Sequence, residues 1–467
     1  MPATATTRLI EHLNTPHRPG TFYQRVLDTD THPVPERIQE SHPLESGPTS
    51  VDVAQYLTRE QHDREVARLW MKTWQMACRQ DQIPEVGDSL VYDIAHMSYV
   101  IVRMTPTVIK AYVNSCLHRG RQLVDSDPCA ARLKQLRCAF HGFTWDLDGS
   151  LAGIPGAWDF PHVNFEDWQL PEAHVATWGG FVFINPNPGA EPFEDFARGL
   201  DRFFAPYQYA ERYTAAHVVK VIDCNWKVAQ EAFMENLHII ATHPQLLAQS
   251  SNLDVRYDAW DNFSRASSPN FLPSAFLTWF PSEQDIMDAT LDRRLDADPV
   301  MQVPEGRTAR EVGAEQARAS LARIIGHSAA EELCDAELVD SFYFTLFPNL
   351  HPWSSYNRIC FRFRPYGDDP GRCIQDVYLL DPYSGERPAA SPTHVLAQHE
   401  DFTAGTEIGP YLARILNQDL YNLPRIQQGL RASQRKSVVF ADYQESKIRH
   451  FYRLLNEYLE HALWPLA

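Results

Sequence analysis

Two short stretches constrain this chain more than anything else in it: Cys116-Leu-His118 and Cys138-Ala-Phe-His141, separated by 19 residues. Each sets one thiol and one imidazole close together, so the four ligand atoms can meet only if the stretches become neighbouring loops. Two Cys-plus-His pairs can hold a single zinc ion, or a two-iron cluster with cysteines on one iron and histidines on the other. A zinc finger ordinarily pairs Cys with Cys and places its histidines on a helix; here each loop supplies one of each. The flanking text provides a scaffold. From Asp88, short β-rich runs (SLVYDI, YVIVRM, VIKAYVN) alternate with turns and continue through WGGFVFINP at 178–186, the pattern of a small antiparallel β domain. Pro188 and Pro192 then mark a boundary.

The second informative stretch is Asn225 to His243, NWKVAQEAFMENLHIIATH. Its period predicts a helix, with Trp226, Ala229, Phe233, Leu237 and Ile240 on an apolar stripe and Lys227, Glu231, Glu235 and His238 on a polar one. Two carboxylates and a histidine in such a setting are costly to bury unless something binds them. His238 and His243 would be splayed by roughly 140° on an ideal helix. Pro244 pushes the residue before it out of the α region, which lets His243 swing back toward His238. Two neutral imidazoles beside a carboxylate suit a divalent transition metal. Spacing alone does not choose the carboxylate among 60 acidic residues.

The remaining text is read more coarsely. Residues 1–54 are rich in Pro, Thr and His and are expected to form an arm. A helix capped by Thr58 follows, with Trp70 and Trp74 on one face. AAHVVKVID, FYFTLFPNL, NRICFRFRPYG and CIQDVYLLDP read as strands. Residues 250–340 show little pattern beyond the amphipathic helix ARASLARIIGH. The C-terminal part reads as helices, one of them starting at Pro424. Strands with helices clustered around and after them give an α+β fold, divided into 1–54, 55–187 and 188–467. The net charge of −18 argues against nucleic-acid or anionic-membrane binding. No run approaches the roughly 18 apolar residues of a membrane span, and the first residues carry no apolar export segment. The cysteines at 78, 129, 224, 334, 360 and 373 show no ligand-like pairing and are expected to be buried, reduced thiols. A cytoplasmic location is expected.

NSCLHRGRQLV and RCAFHGFTWDLDGSL resemble the two loops of a Rieske [2Fe–2S] domain, and more narrowly those of the large subunit of Rieske non-haem iron oxygenases. The resemblance runs from about Tyr56 onward and leaves 250–340 unmatched. It implies that Cys116 and Cys138 bind one iron of the cluster and His118 and His141 the other. It also implies that Glu235-Asn-Leu-His238-Ile-Ile-Ala-Thr-His243 supplies two ligands of a mononuclear Fe(II), and QDLYNLPRIQQGLRAS the third, at Asp419. Glu235 would bridge His238 to a cluster histidine. Most of the family has Asp there; a minority with Glu includes enzymes acting on quaternary amines. The implied architecture is a Rieske domain set into a helix-grip (START-like) catalytic domain with a curved antiparallel sheet, assembled as a homotrimer. The implied activity is that of a terminal oxygenase fed from NAD(P)H by a flavin reductase, directly or through a ferredoxin. Five basic residues against Asp125 and Asp127 within 116–141 would suit docking of an acidic donor. FYFTLF (342–347), Trp353 and Met234 are candidate walls of an apolar pocket, which favours hydroxylation or dihydroxylation of an aromatic or alicyclic substrate. N- or O-demethylation or C–N cleavage, including of quaternary amines, and a plain electron-transfer role are the alternatives.

Overall fold

In the computed structural model, which describes residues 21–125, 131–292 and 299–460, the chain builds two principal antiparallel sheets. The first has seven strands in the order Gln75–Arg79, Phe181–Asn185, Glu172–Trp178, Ile109–Val113, Met97–Arg103, Asp88–Ile94 and Ala131–Arg132. Hanging from it is a three-stranded ribbon, Leu136–Arg137, Thr144–Trp145 and Leu151–Gly153. The loop carrying Cys116 and His118 follows the strand Ile109–Val113, and the loop carrying Cys138 and His141 joins the first two ribbon strands. Val100, Val102, Tyr112, Leu136, Phe143 and Trp145 form the apolar core beneath both loops.

The second sheet has eight strands: Arg256–Ala259, Phe263–Ser268, Ser341–Leu346, Leu350–Pro352, Ile359–Tyr366, Asp369–Asp381, Tyr213–Ile222 and the parallel edge strand Thr393–Val395. Side chains alternate between its faces with period two. Phe361, Phe363, Val377 and Leu379 turn to one face and join Trp226, Ala229, Leu416, Leu423, Phe451 and Leu455 from the helices. Cys360, Tyr378 and Leu380 turn to the other and meet Phe181, Phe183, Phe203 and Phe204. The two domains are thus cemented through the back of the larger sheet. Across that sheet Arg362 donates two hydrogen bonds to Asp376, at 2.9 and 2.7 Å. Burial opposes the charge on Asp376, but Arg362 holds its carboxyl far below the usual range.

Residues 21–54 lie along the part of the chain built around the larger sheet. Tyr23 donates to Asp340 at 3.0 Å, Arg37 pairs with Glu337 at 2.6 Å, and Ser50–Asp52 forms a two-stranded ladder with Ser437–Val439. Residues 1–20 of the expected arm fall outside the described residues.

Several expectations from the sequence need correction. Thr58 does cap a helix, its hydroxyl accepting from the Gln61 N–H, but that helix covers only Arg59–Glu65 before a π-helical turn at Val66–Trp70. Trp74 therefore lies off the helix, directly ahead of the strand Gln75–Arg79. Pro424 does not start a helix. It sits inside one helix, Pro410–Ala432, whose inward stripe of Ala413, Leu416, Asp419, Leu423 and Gln427 continues on both sides of it; tertiary packing outweighs the lost backbone hydrogen bond. The strands Arg256–Ala259 and Phe263–Ser268 lie in the stretch that had read as unpatterned. No helix among the described residues is long and apolar enough to cross a membrane.

Candidate metal centres

The Asn225–His243 stretch is not one continuous helix. Asn225 caps a helix over Trp226–Glu231, accepting from the Lys227 N–H at 3.0 Å. The chain then leaves the α path, and a second short helix spans Ile239–Thr242. Glu235 explains the break: its Oε2 accepts the His238 backbone N–H at 3.0 Å, a side-chain bond that competes with helix continuation. His243 ends the second helix at φ −126° and ψ 54°, outside the α region as its position before Pro244 requires.

The first helix is clamped from below. Lys227 Nζ donates to Glu65 at 2.6 Å and Trp226 Nε1 to the other oxygen of the same carboxylate at 2.9 Å. At its end Glu231 accepts from Tyr56 at 3.0 Å and Tyr452 at 2.6 Å. Burial raises the Glu231 pKa from 4.5 to about 7, against the opposing effect of the two hydroxyls.

His238, His243 and Asp419 converge, with one donor atom of each within 4.8 Å of the others. Asp419 Oδ1 lies 3.0 Å from His243 Nε2 and 3.8 Å from His238 Nε2. On the far side of each ring the Nδ1 is engaged: His238 Nδ1 with Glu235 Oε1 at 2.6 Å, His243 Nδ1 with Gln418 Oε1 at 2.8 Å. Both Nδ1 partners are acceptors, so a neutral ring that keeps its proton on Nδ1 turns an Nε2 lone pair toward the Asp419 carboxylate. His243 Nε2 also lies at hydrogen-bond distance from Asp419 Oδ1, so the carboxylate competes with Gln418 for that proton until a cation takes the Nε2 side. Three electron pairs converging on one point repel one another unless a cation lies among them, so this donor set fits a metal ion with room for further ligands. Burial opposes a charge on His238, but Glu235 and Asp419 raise its pKa to about 9, so at neutral pH a proton on Nε2 competes with a metal ion for this point.

Cys116, Cys138, His118 and His141 are also brought together. The two imidazole rings lie 4.7 Å apart, and His118 stacks on Phe143 at 4.6 Å. Burial raises the Cys116 thiol, whereas at Cys138 the N–H groups of Phe140 and His141 outweigh burial and lower it. His118 Nδ1 is buried with no hydrogen-bond partner. An orphaned imidazole nitrogen beside two sulfurs that receive backbone N–H groups fits the four-ligand set of a Rieske cluster. His141 and Phe140 are exposed. Of the nearby basic residues, Arg121 pairs with Asp125 at 3.1 Å and Arg132 with Asp88 at 3.0 Å, while Arg119 lies over the Phe140 ring. The free positive charge at this rim is smaller than the sequence count implies. Among the described residues, no hydrogen bond joins Glu235 to His118 or His141.

Alternation divides the expected apolar pocket. Phe342, Phe344 and Leu346 turn into the core behind the sheet, while Phe347 packs on Phe451 and Tyr458. Tyr343 faces Trp353 at 5.4 Å and donates from its hydroxyl to Asn236 at 2.7 Å. Met234 is fully buried. A cavity of about 280 Å³ opens beside Pro244 and Gln245, lined in part by Leu277, Trp279, Tyr411 and Arg414. Gln418 went unnoticed in the sequence; its only signal there is adjacency to Asp419.

Residues 204–461 match the family model of the ring hydroxylating alpha subunit catalytic domain, and residues 73–164 that of the Rieske [2Fe–2S] domain. The chain is 26% identical over 191 residues to the biphenyl 2,3-dioxygenase alpha subunit of Rhodococcus jostii (strain RHA1), covering 40% of this chain and 41% of that protein. It is 28% identical over 185 residues to the glycine betaine monooxygenase oxygenase subunit of Pseudomonas aeruginosa (strain UCBPP-PA14), covering 39% and 42%. The match thus spans about two-fifths of the curated relatives' length. Among solved structures, the quaternary ammonium Rieske monooxygenase CntA bound to an inhibitor superposes with a TM-score of 0.62 at 18% identity, covering 90% of this chain and 99% of that one. A naphthalene 1,2-dioxygenase mutant bound to phenanthrene gives 0.62 at 17% identity, covering 90% and 95%. Since the catalytic-domain model alone takes in more than half of the residues and the Rieske model most of the domain before it, this chain belongs to the ring-hydroxylating alpha-subunit family.

Proposed function

We propose that this chain is the terminal oxygenase component of a multicomponent Rieske oxygenase, acting on a small aromatic or alicyclic substrate. The observation that carries the reading is the pair of nitrogen lone pairs and one carboxylate converging at His238, His243 and Asp419, on a chain that also gathers Cys116, His118, Cys138 and His141. Iron held by the first set would supply dioxygen activation, and a [2Fe–2S] group on the second would supply electrons. The chain's own residues do the rest. Glu235 keeps the Nδ1 proton of His238 and so directs its Nε2 inward; the Lys227–Glu65 and Glu231–tyrosine contacts hold the first helix, and through it the turn bearing Glu235, in place. Met234 is buried in the same turn, and Tyr343, which packs on Trp353, donates to Asn236 beside Glu235.

Glu235 has no hydrogen-bond partner among the cluster histidines of its own chain, and His141 is exposed. The family resemblance implies a homotrimer in which the cluster of one subunit serves Glu235 of the next, and the exposed His141 is compatible with that arrangement. Electrons would come from NAD(P)H through a flavin reductase, with or without a ferredoxin, docking near His141 and Phe140. The biphenyl, benzene and chlorobenzene dioxygenase subunits among the relatives support the aromatic substrate. A specific observation favours a second reading, monooxygenation of a quaternary amine: Glu235 stands where most of the family has Asp, and relatives include a glycine betaine monooxygenase. The test is anaerobic reconstitution with Fe(II), then substrate-dependent oxygen uptake with a surrogate reductase over aromatic hydrocarbons and betaines, with mass spectrometry of products. Uptake with an oxygenated product from either class supports the oxygenase. Absence of Rieske absorption, or of a second kind of iron, refutes it.

A further inference from the structure

We infer that Gln418 and Gln245 form a paired-amide lock that holds His243 in its metal-ready tautomer, making Gln418 a positioning residue for the catalytic site. This rests on reading His238, His243 and Asp419 as a metal centre. Gln418 Oε1 accepts from His243 Nδ1 at 2.8 Å and from Gln245 Nε2 at 2.7 Å, and Gln418 Nε2 donates back to Gln245 Oε1 at 3.3 Å. A neutral imidazole carries one proton, and the partner of Nδ1 decides which nitrogen holds it. Gln418 Oε1 at 2.8 Å from Nδ1 competes for that proton with Asp419 Oδ1 at 3.0 Å from Nε2; with a metal ion held on the Nε2 side, the proton belongs on Nδ1 and Gln418 is the group that accepts it.

The reciprocity gives this arrangement its strength. A lone amide can turn over and present its NH2 to the ring, which would move the ring proton to Nε2, where Asp419 would accept it. If Gln418 turned alone, its Nε2 would face Gln245 Nε2 and its Oε1 would face Gln245 Oε1, losing both mutual hydrogen bonds. The two amides must turn together or not at all. Asn422 adds a further tie, donating to Thr242 at 3.2 Å, so the helix bearing Gln418 and Asp419 is also fastened to the residue before His243. Gln245 lines the 280 Å³ cavity, so one arm of the lock stands where an incoming molecule would touch it.

The experiment uses protein with its Rieske cluster intact and its mononuclear metal removed by chelation, titrated anaerobically with Co(II) and followed by the cobalt d–d absorption. Gln418→Leu removes the acceptor and is expected to weaken Co(II) binding by about 10–100-fold, the usual effect of losing such a partner. Gln418→Glu keeps an oxygen toward Nδ1 and should restore affinity to within about threefold of wild type, which a purely structural role for the side chain would not produce. Gln245→Leu, which leaves Gln418 free to turn, should weaken binding by an intermediate factor; it also decides the matter if Gln418→Leu does not fold. Affinity within twofold of wild type in Gln418→Leu, or in Gln245→Leu, overturns the lock. Failure of the wild type itself to bind Co(II) overturns instead the metal-site reading on which the lock rests. The Rieske absorption should be unchanged throughout.

Discussion

Replacing Glu231 by Gln should make the protein's stability less sensitive to alkali, by an amount the structure specifies. Glu231 is enclosed between Tyr56 and Tyr452, and burial raises its pKa from 4.5 to about 7. A carboxyl whose folded pKa lies above its unfolded value contributes stability that is fully present below the unfolded pKa. That contribution is lost as pH rises through the folded one, because the unfolded chain releases a proton that the folded chain retains. At 1.36 kcal/mol per pH unit, the loss between about pH 5 and about pH 8 comes to about 2.5 kcal/mol. Gln accepts the same two hydroxyls through its carbonyl oxygen and does not titrate. The stability of Glu231→Gln relative to wild type should therefore rise by about 2.5 kcal/mol from pH 5 to pH 8, read by urea denaturation at both pH values or as several degrees of melting temperature. Parallel pH profiles for the two proteins would refute the reasoning, since they would mean that Glu231 is ionised in the folded state throughout.

The other expectations concern the metal sites. Cys116→Ala or His141→Ala should abolish the visible absorption of the Rieske cluster, and an unchanged spectrum would refute their assignment as ligands. Asp419→Ala takes away the oxygen lying 3.0 Å from His243 Nε2; it should spare the cluster's spectrum while eliminating the mononuclear metal and turnover, whereas full retained activity would point to another carboxylate. Glu235→Gln should retain both metals yet slow turnover by orders of magnitude, and wild-type single-turnover rates would sink its bridging role.

The features legible in the sequence are those whose chemistry is local. Cys116, His118, Cys138 and His141 announce themselves by proximity along the chain, and the strands from Asp88 to Val113 as short β-rich runs broken by turns. His243 leaves the α region because Pro244 follows it, a steric rule that needs no tertiary information. Other features depend on partners far away. Phe263–Ser268 is written FSRASS, and its Ser264, Ala266 and Ser268 are too small and polar to mark an apolar face; pairing with Arg256–Ala259 on one side and Ser341–Leu346 on the other makes it a strand. Its Arg265 is buried because Asp258 on the next strand takes two of its hydrogen bonds. The helical period of 225–243 is real, but Glu235 spends its side chain on the His238 N–H and breaks the run. Pro424 obeys the rule for a helix start in isolation and loses to a buried stripe that extends on both sides of it. Gln418 could not be found from sequence at all, since its significance lies in a contact with Gln245 across the fold.

The clasp between Ser50–Asp52 and Ser437–Val439, together with the two tyrosines that meet on Glu231, has a consequence for biosynthesis. A nascent chain emerging from the ribosome would have its N-terminal helices and the Rieske sheet in hand long before the Ser446–Glu460 helix is translated. Until then Glu231 has only one of its two hydroxyl partners, and the apolar face of the larger sheet lacks the cover that Phe451 and Leu455 bring. The core of the larger domain is therefore expected to close late, so chaperone demand during expression should track the arrival of the Ser446–Glu460 helix.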